Sequence, residues 1–208
     1  MLSVLVANSK GGCGKTTIAT QLAGAFAGAG LKTALADADR QRSSLHWVGR
    51  RPDTAPPVRS LDWVKSIGRP PKSVARLIID APAAMRAKQV EVLVGMADVI
   101  VLPVLPSAFD EGATSRFLDR LEALKPIRKN KKPVALVGNR MRARTRAAAR
   151  LDDFLVCLGH RVVTRLRDST LYAETAALGL SLFDMTGKRV EMLRDDWADL
   201  LRYIEGEA

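Results

Sequence analysis

Short apolar runs alternate with longer helical patterns along this chain. The apolar runs predict strands over residues 2–8, 32–39, 75–82, 98–104, 132–139 and 160–166. The intervening segments predict helices over 15–30, 43–51, 87–96, 110–124, 144–158, 170–177 and 188–204. Strands built almost entirely of Val, Ile, Leu and Ala are typical of parallel sheets covered on both faces. The pattern therefore predicts an α/β fold with a doubly wound, mostly parallel sheet and helices on both faces.

The same pattern gives no sign of a second domain. The chain has 208 residues, and its proline-rich piece 50–60 (RRPDTAPPVRS) is interpreted as a surface loop. We expect one domain over 1–208. Two cysteines, Cys13 and Cys157, are too few for a disulfide framework, and no targeting segment is visible, which indicates a cytoplasmic protein. The apolar stretch 90–109 is interrupted by Asp98 and two prolines, so it is not expected to span a membrane.

Positive charge is concentrated in one part of the chain. The formal net charge is +11, and residues 120–150 contain eleven Lys or Arg residues against the single acid Glu122. A block of this size favours a polyanionic partner, either nucleic acid or an anionic membrane surface. The alternative is a solvated face that only aids solubility.

One glycine-rich segment carries recognisable chemistry. Residues 9–17 read SKGGCGKTT, between the first predicted strand and the first predicted helix. That context is required of a phosphate-binding loop, in which backbone N–H groups and the helix N-terminus surround phosphate oxygens. Lys15 is expected to reach the β- and γ-phosphates of a nucleotide, and the Thr16 hydroxyl to ligate Mg²⁺. The predicted nucleotide-binding residues of this loop are Gly11, Gly12, Cys13, Gly14, Lys15, Thr16 and Thr17.

A second lysine, Lys10, directly precedes the first glycine of that loop. The arrangement KGGCGKTT resembles the deviant Walker A motif of the ParA/MinD family of ATPases. The resemblance implies a Mg²⁺-dependent ATPase that binds ATP and ADP and forms a homodimer with ATP. It also implies that Lys10 reaches across the dimer to the nucleotide of the partner subunit. The catalytic residues that the resemblance implies are Lys10, Lys15 and Asp39.

The same resemblance assigns further site residues at the ends of predicted strands. LADADRQ resembles the family's second box, so Asp39 is expected to orient the attacking water and Asp37 to lie near the metal. Arg40 stands there in place of the usual proline. IIDAP resembles the Walker B segment, which makes Asp80 a ligand of Mg²⁺ through water. Asn139, at the end of a later strand, is expected to approach the adenine.

The resemblance is strongest to short, ParF-like partition ATPases without an N-terminal helix-turn-helix. It implies non-specific binding of double-stranded DNA, association with the nucleoid in the ATP state, and a ParB-like or cargo-adaptor protein that stimulates hydrolysis. The candidate DNA contacts are Arg140, Arg142, Arg144, Arg146 and Arg150. A site-specific operator function is not expected, because the chain begins only a few residues before its loop.

Two alternatives within the same scaffold stay open. One is a MinD-like membrane-associated regulator, which the acidic outer face predicted for 188–204 makes less favourable; the apolar face of that helix is expected to pack on the core. The other is an ATP-dependent metabolic enzyme related to dethiobiotin synthetase. A thiol at a helix N-terminus can also have a lowered pKa, which raises the possibility of a redox switch at Cys13.

Overall fold

The computed structural model describes residues 1–129 and 131–207. Within them, seven strands form one sheet in which every pair is parallel. The strands are β1 (Leu2–Val6), β2 (Thr33–Asp37), β3 (Val58–Asp62), β4 (Arg76–Asp80), β5 (Val99–Val104), β6 (Val134–Met141) and β7 (Arg161–Arg167). Their order across the sheet is β3-β2-β4-β1-β5-β6-β7. The predicted doubly wound α/β fold is confirmed.

Helices connect these strands and cover both faces of the sheet. They are α1 (Lys15–Gly28), α2 (Ser43–Arg50), α3 (Ala87–Met96), α4 (Ala108–Glu122), α5 (Lys125–Arg128), α6 (Arg146–Cys157), α7 (Leu171–Ala177), α8 (Lys188–Asp195) and α9 (Ala198–Glu205). A short 3-10 helix spans Leu182–Asp184. The ends of the six predicted strands agree with the observed ones within two residues.

The fold differs from the sequence expectation at an edge strand and within the last predicted helix, and α5 and the 3-10 helix were not predicted. The proline-rich piece 50–60 runs into a strand, β3, which pairs only with β2 at the edge of the sheet. The predicted helix 188–204 is broken between α8 and α9 at Asp196. There the carbonyl oxygen of Asp196 accepts a hydrogen bond from Thr164, and its carboxylate pairs with Arg167. Both partners lie on β7, so the sheet holds the break in place.

The core consists of an apolar layer on each face of the sheet. Neighbouring residues of β1 point to opposite layers: Leu5 packs with α3, α4 and α6, whereas Val4 packs with α1 and α9. Trp197, Leu200 and Ile204 are buried in the second layer. The apolar face of the C-terminal segment thus packs on the core, as predicted. No helix in the described part of the chain is both long and apolar enough to cross a membrane.

The parallel arrangement brings the predicted site residues to one edge of the sheet. The phosphate loop follows β1, Asp37 ends β2, Asp80 ends β4, and Asn139 lies near the end of β6. In parallel α/β sheets this carboxyl edge is where ligands bind.

Candidate active site

The phosphate loop (residues 10–17) has the tight turn that its glycines predict. Gly12 and Gly14 have φ values of 78° and 97°, a left-handed conformation that favours glycine. A Cβ atom at Gly14 would also collide with the side-chain amide of Asn139. Helix α1 begins at Lys15, directly after this turn, so its free N–H groups face the concave side of the loop.

The two lysines of the loop have different surroundings. Lys15 is only 6% exposed, and its Nζ donates a 2.9 Å hydrogen bond to the carbonyl oxygen of Lys10. The side chain of Lys10 is half-buried and forms no hydrogen bond or ion pair within the described residues. One ammonium group therefore lies inside the loop, and the other has no acceptor on the described part of its own chain.

Asp80 has an environment that suits a bound cation. Its Oδ2 accepts hydrogen bonds from the hydroxyls of Thr16 (2.8 Å) and Ser44 (2.6 Å). Its Oδ1 is buried and has no partner among the described residues. Burial raises the pKa of Asp80 to about 6, although the two hydroxyl hydrogen bonds oppose this shift. A buried carboxylate oxygen without a partner fits the predicted Mg²⁺ ligand role of Asp80, with Thr16 beside it.

The protein contributes few groups to such a cation. The described residues contain no cluster of three or more His, Cys, Asp or Glu side chains that would hold a metal ion. Mg²⁺ commonly keeps several waters and is held by one or two protein groups together with the phosphates of a nucleotide. Thr16 and Asp80 match this kind of site.

The two aspartates of the second box have separate positions. Asp37 is fully buried, and its two carboxylate oxygens accept backbone N–H bonds from Asp39 (2.9 Å) and Leu45 (3.1 Å). Burial raises the pKa of Asp37, against the effect of those hydrogen bonds. Asp37 thus holds the turn that leads into α2, and its metal role stays a prediction. Asp39 is half-buried and lines the cavity beside the phosphate loop, as a water-orienting residue requires.

Asn139 supports the phosphate loop from β6. Its Nδ2 donates a 2.8 Å hydrogen bond to the carbonyl oxygen of Cys13, and its Oδ1 accepts one from the backbone N–H of Arg140. One N–H and one lone pair of the amide remain for a ligand. Its predicted approach to the adenine stays a prediction, and its observed contacts add a structural role.

Two cavities meet beside the loop. The larger, about 980 Å³, is lined by the loop glycines, Lys15, Thr16, Asp39 and the segment after Asp80. The smaller, about 420 Å³, is lined by Asn139 and by residues at and after the end of β7, among them Asp168 and Tyr172. Thr17 and Arg140 line both cavities. Together they provide a polar space for phosphates beside a narrower space on the side of β7.

Two buried residues of this site were not predicted from the sequence. Asn8 donates hydrogen bonds to Pro103 (2.8 Å) at the end of β5 and to Thr114 (3.0 Å) of α4, and it accepts one from the N–H of Lys10. Ser44 donates to Asp80. An asparagine that closes an otherwise apolar strand is a readable signal for Asn8. A serine in the predicted helix 43–51 has no comparable signal.

The pKa of the Cys13 thiol differs in direction from the sequence-based expectation. Its side chain is fully buried, and burial raises the pKa of the thiol despite the neighbouring Lys15. The raised pKa argues against the lowered-pKa thiol considered from the sequence, because desolvation outweighs the favourable charges near the helix N-terminus, and a redox role for Cys13 is not proposed.

The candidate DNA contacts are all exposed, but they fall into different classes. Arg142 is paired with Asp168, and Arg150 with Glu111 of α4. Arg144 and Arg146 have no ion-pair partner in the described ranges. Arg140 lines the two cavities at the phosphate loop. Their contacts with DNA stay a prediction.

Comparison with known proteins identifies the family. The model described as the CobQ/CobB/MinD/ParA nucleotide binding domain matches residues 4–182. The chain belongs to that family. It is accordingly a nucleotide-binding ATPase of the ParA/MinD type.

Individual relatives and structures match over nearly the whole chain. The maintenance of carboxysome distribution protein A of Halothiobacillus neapolitanus is 28% identical over 209 residues, which covers 97% of this chain and 95% of the relative. The ATP complex of McdA from Cyanothece has a TM-score of 0.77 at 16% identity and covers 100% of this chain and 97% of its own. A putative plasmid partition protein of Borrelia burgdorferi bound to AMPPNP has a TM-score of 0.75 at 14% identity, with coverage of 97% and 99%. The two structural matches share the fold.

Proposed function

We propose that this ATPase is a dimerisation switch in which Mg²⁺ and ATP join two subunits, and hydrolysis separates them. The observation that carries the proposal is the unequal placement of the two lysines. Lys15 closes the loop from inside, whereas the ammonium group of Lys10 has no acceptor within the described part of its own chain. A triphosphate on a second subunit would supply that acceptor.

The residues of the site fit the chemistry of phosphoryl transfer. Backbone N–H groups of the loop and the ammonium of Lys15 would hold the phosphates, and Thr16 with Asp80 would hold Mg²⁺. The ion, when bound, neutralises charge on the phosphate oxygens. Asp39 would orient water, and Lys10 of the partner subunit would stabilise charge that develops on the transferred group.

We further propose that the ATP-bound dimer binds DNA without sequence preference, associates with the nucleoid, and releases when a partner protein stimulates slow hydrolysis. Such a cycle would position a cargo. The full-length relative is named for the distribution of carboxysomes, and a structural match is a plasmid partition protein. We infer a large protein assembly or a plasmid as the cargo, with the assembly favoured because the carboxysome-distribution relative matches over nearly the whole chain.

The test of this function is the oligomeric state measured by light scattering with Mg²⁺ and a non-hydrolysable ATP analogue. The wild type should be dimeric with the analogue and monomeric with ADP. Lys10→Ala should still bind nucleotide but should lose both dimerisation and stimulated hydrolysis. The control Lys32→Ala removes an exposed lysine just before β2, at the opposite edge of the sheet, and should behave as wild type.

A second variant separates assembly from hydrolysis. Asp39→Ala should dimerise with ATP itself and remain dimeric, because the water is no longer oriented. A wild-type protein that stays monomeric with the analogue would reject the switch. A Lys10→Ala variant that dimerises and hydrolyses normally would reject the role of Lys10 in the partner's site.

A further inference from the structure

We propose that Arg140 binds the phosphates of the nucleotide held by its own phosphate loop, and that it is not part of the DNA-binding surface. This assignment rests on the proposed function, because it needs a nucleotide in the two cavities beside the loop. It separates Arg140 from the four arginines that follow it in the chain.

The backbone at Arg140 has an unusual conformation. The regular pairing of β6 with β7 is interrupted between Gly138 and Met141, the stretch that contains Asn139 and Arg140. Arg140 has a φ of 53°, in the left-handed region that non-glycine residues seldom occupy. Irregularities of this kind next to a site redirect a side chain away from the regular alternation of the strand.

The interruption places Arg140 beside the phosphate loop. Its backbone N–H donates a 3.0 Å hydrogen bond to Oδ1 of Asn139, whose Nδ2 is bound to the carbonyl oxygen of Cys13. One side chain thus connects the backbone of Arg140 to the loop. Arg140 also lines both the larger cavity around Lys15 and the smaller cavity next to it. A nucleotide that spans these two cavities would pass Arg140, which also lines a third cavity together with Arg142.

The charge of Arg140 is available for a ligand. Its side chain is exposed, and no acid among the described residues pairs with it. Asp168 lines the smaller cavity, but its carboxylate is bound by Arg142. A guanidinium group presents planar N–H donors that match phosphate oxygens, so an anionic ligand is the natural partner for Arg140.

The experiment measures ADP affinity by titration with a fluorescent ADP analogue. Arg140→Ala should weaken binding about tenfold, which is the usual effect of one lost charge-assisted hydrogen bond. Arg144→Ala is a matched control, because Arg144 is also exposed, has a φ of 62° and has no ion-pair partner among the described residues. It should change ADP affinity less than twofold, within about the noise expected of a remote surface change.

Two further measurements distinguish the effect of the guanidinium on ADP from an effect of backbone strain and from a contact with DNA. Arg140→Gly removes both the side chain and the backbone strain, and it should weaken ADP binding as much as Arg140→Ala does. At saturating ATP, Arg140→Ala should retain DNA binding while Arg144→Ala weakens it.

Each outcome decides a different point. Equal ADP affinity in the wild type and Arg140→Ala would overturn the assignment alone, as would wild-type affinity in Arg140→Gly. Loss of DNA binding by Arg140→Ala at saturating ATP with unchanged ADP affinity would return Arg140 to the DNA surface. A wild-type chain without affinity for ADP would overturn the proposed function and this assignment together.

Discussion

Asp80 shows how one carboxylate can be prepared for a cation at a cost to the folded protein. Its Oδ2 has two hydroxyl donors, whereas its Oδ1 has none among the described residues. Because the group is 1% exposed, ionisation in the folded chain is opposed by burial, which raises its pKa to about 6 from 3.8. The folded state therefore binds more protons than the unfolded state between these two values.

We expect Asp80→Asn to stabilise the nucleotide-free protein at high pH. Since the pKa is raised on folding, the stabilising proton on Asp80 is present below about pH 4 and is lost as the pH rises through about 6. The asparagine variant has no such loss. The difference between its free energy of unfolding and that of the wild type should therefore increase by up to about 3 kcal/mol from pH 4 to pH 8. Urea unfolding at both pH values measures this difference.

The same variant should lose the Mg²⁺ dependence of nucleotide binding, because an amide is a poorer ligand for Mg²⁺ than a carboxylate. Parallel pH dependence in the wild type and Asp80→Asn would show that Asp80 is ionised in the folded protein without cost. It would also remove the reason to regard its unpartnered oxygen as prepared for a cation.

At the scale of elements, α2 is fixed at both ends and connects the nucleotide site to the segment 180–184, which contains the 3-10 helix. At its start, Ser44 donates to Asp80. At its end, Arg51 forms a bidentate ion pair with Asp184 of the 3-10 helix, and their side chains are only 4% and 3% exposed. In between, the indole of Trp47 donates a 3.1 Å hydrogen bond to the carbonyl oxygen of Leu180. Movement of α2 would disturb both regions.

Removal of one partner of this buried pair should be strongly destabilising. Arg51→Ala leaves the carboxylate of Asp184 buried without its counter-charge, and we expect a loss of about 3–5 kcal/mol in the free energy of unfolding, measured in urea. The control Arg202→Ala removes a pair with Asp199 whose side chains are 61% and 63% exposed. It should cost less than about 1 kcal/mol. Similar losses in the two variants would contradict the importance of burial.

These elements also show what the sequence could predict. The central strands were predicted well because both of their faces are buried, and their apolar runs reflect that. Strand β3 was missed because it lies at the edge and exposes Arg59 and Ser60, which removes the apolar signal. The break at Asp196 was missed because its cause is a contact with β7, distant in sequence.

The site divides in the same way. The phosphate loop follows from a local pattern of glycines and lysines, so its position between β1 and α1 was predicted. The role of Ser44 was not, because it depends on the distance between α2 and the end of β4. The backbone of Arg140 was missed for a related reason, since the irregular pairing of β6 with β7 joins two segments that are separate in the sequence.

At the scale of the molecule, the fold divides the positive block of residues 120–150 into two groups. Arg128 and Lys129 lie before β6, whereas Arg144 and Arg146 follow its carboxyl end. A strand of eight residues, roughly 25 Å long at about 3.3 Å per residue, separates them. The ammonium group of Lys132 donates hydrogen bonds to carbonyl oxygens at the end of α3, among them those of Val94 and Gly95, so its charge is already used within the protein. The linear charge block is thus not one continuous surface.

This division allows DNA binding to be tested with two double variants that have the same net charge as each other. The pair Arg144→Ala and Arg146→Ala removes two charges at the edge of the sheet that carries the nucleotide site. The pair Arg128→Ala and Lys129→Ala removes two charges at the opposite edge. If Arg144 and Arg146 stay exposed in the ATP-bound dimer and contact DNA, only the first double variant should weaken binding. It should also reduce the slope of log affinity against log salt by about 2, close to one for each lost phosphate contact. Salt titrations with ATP, repeated with ADP, measure both quantities.

An equal effect of the two double variants would mean that DNA responds to the total charge of the protein, and that the carboxyl edge of β6 is not a DNA-binding surface.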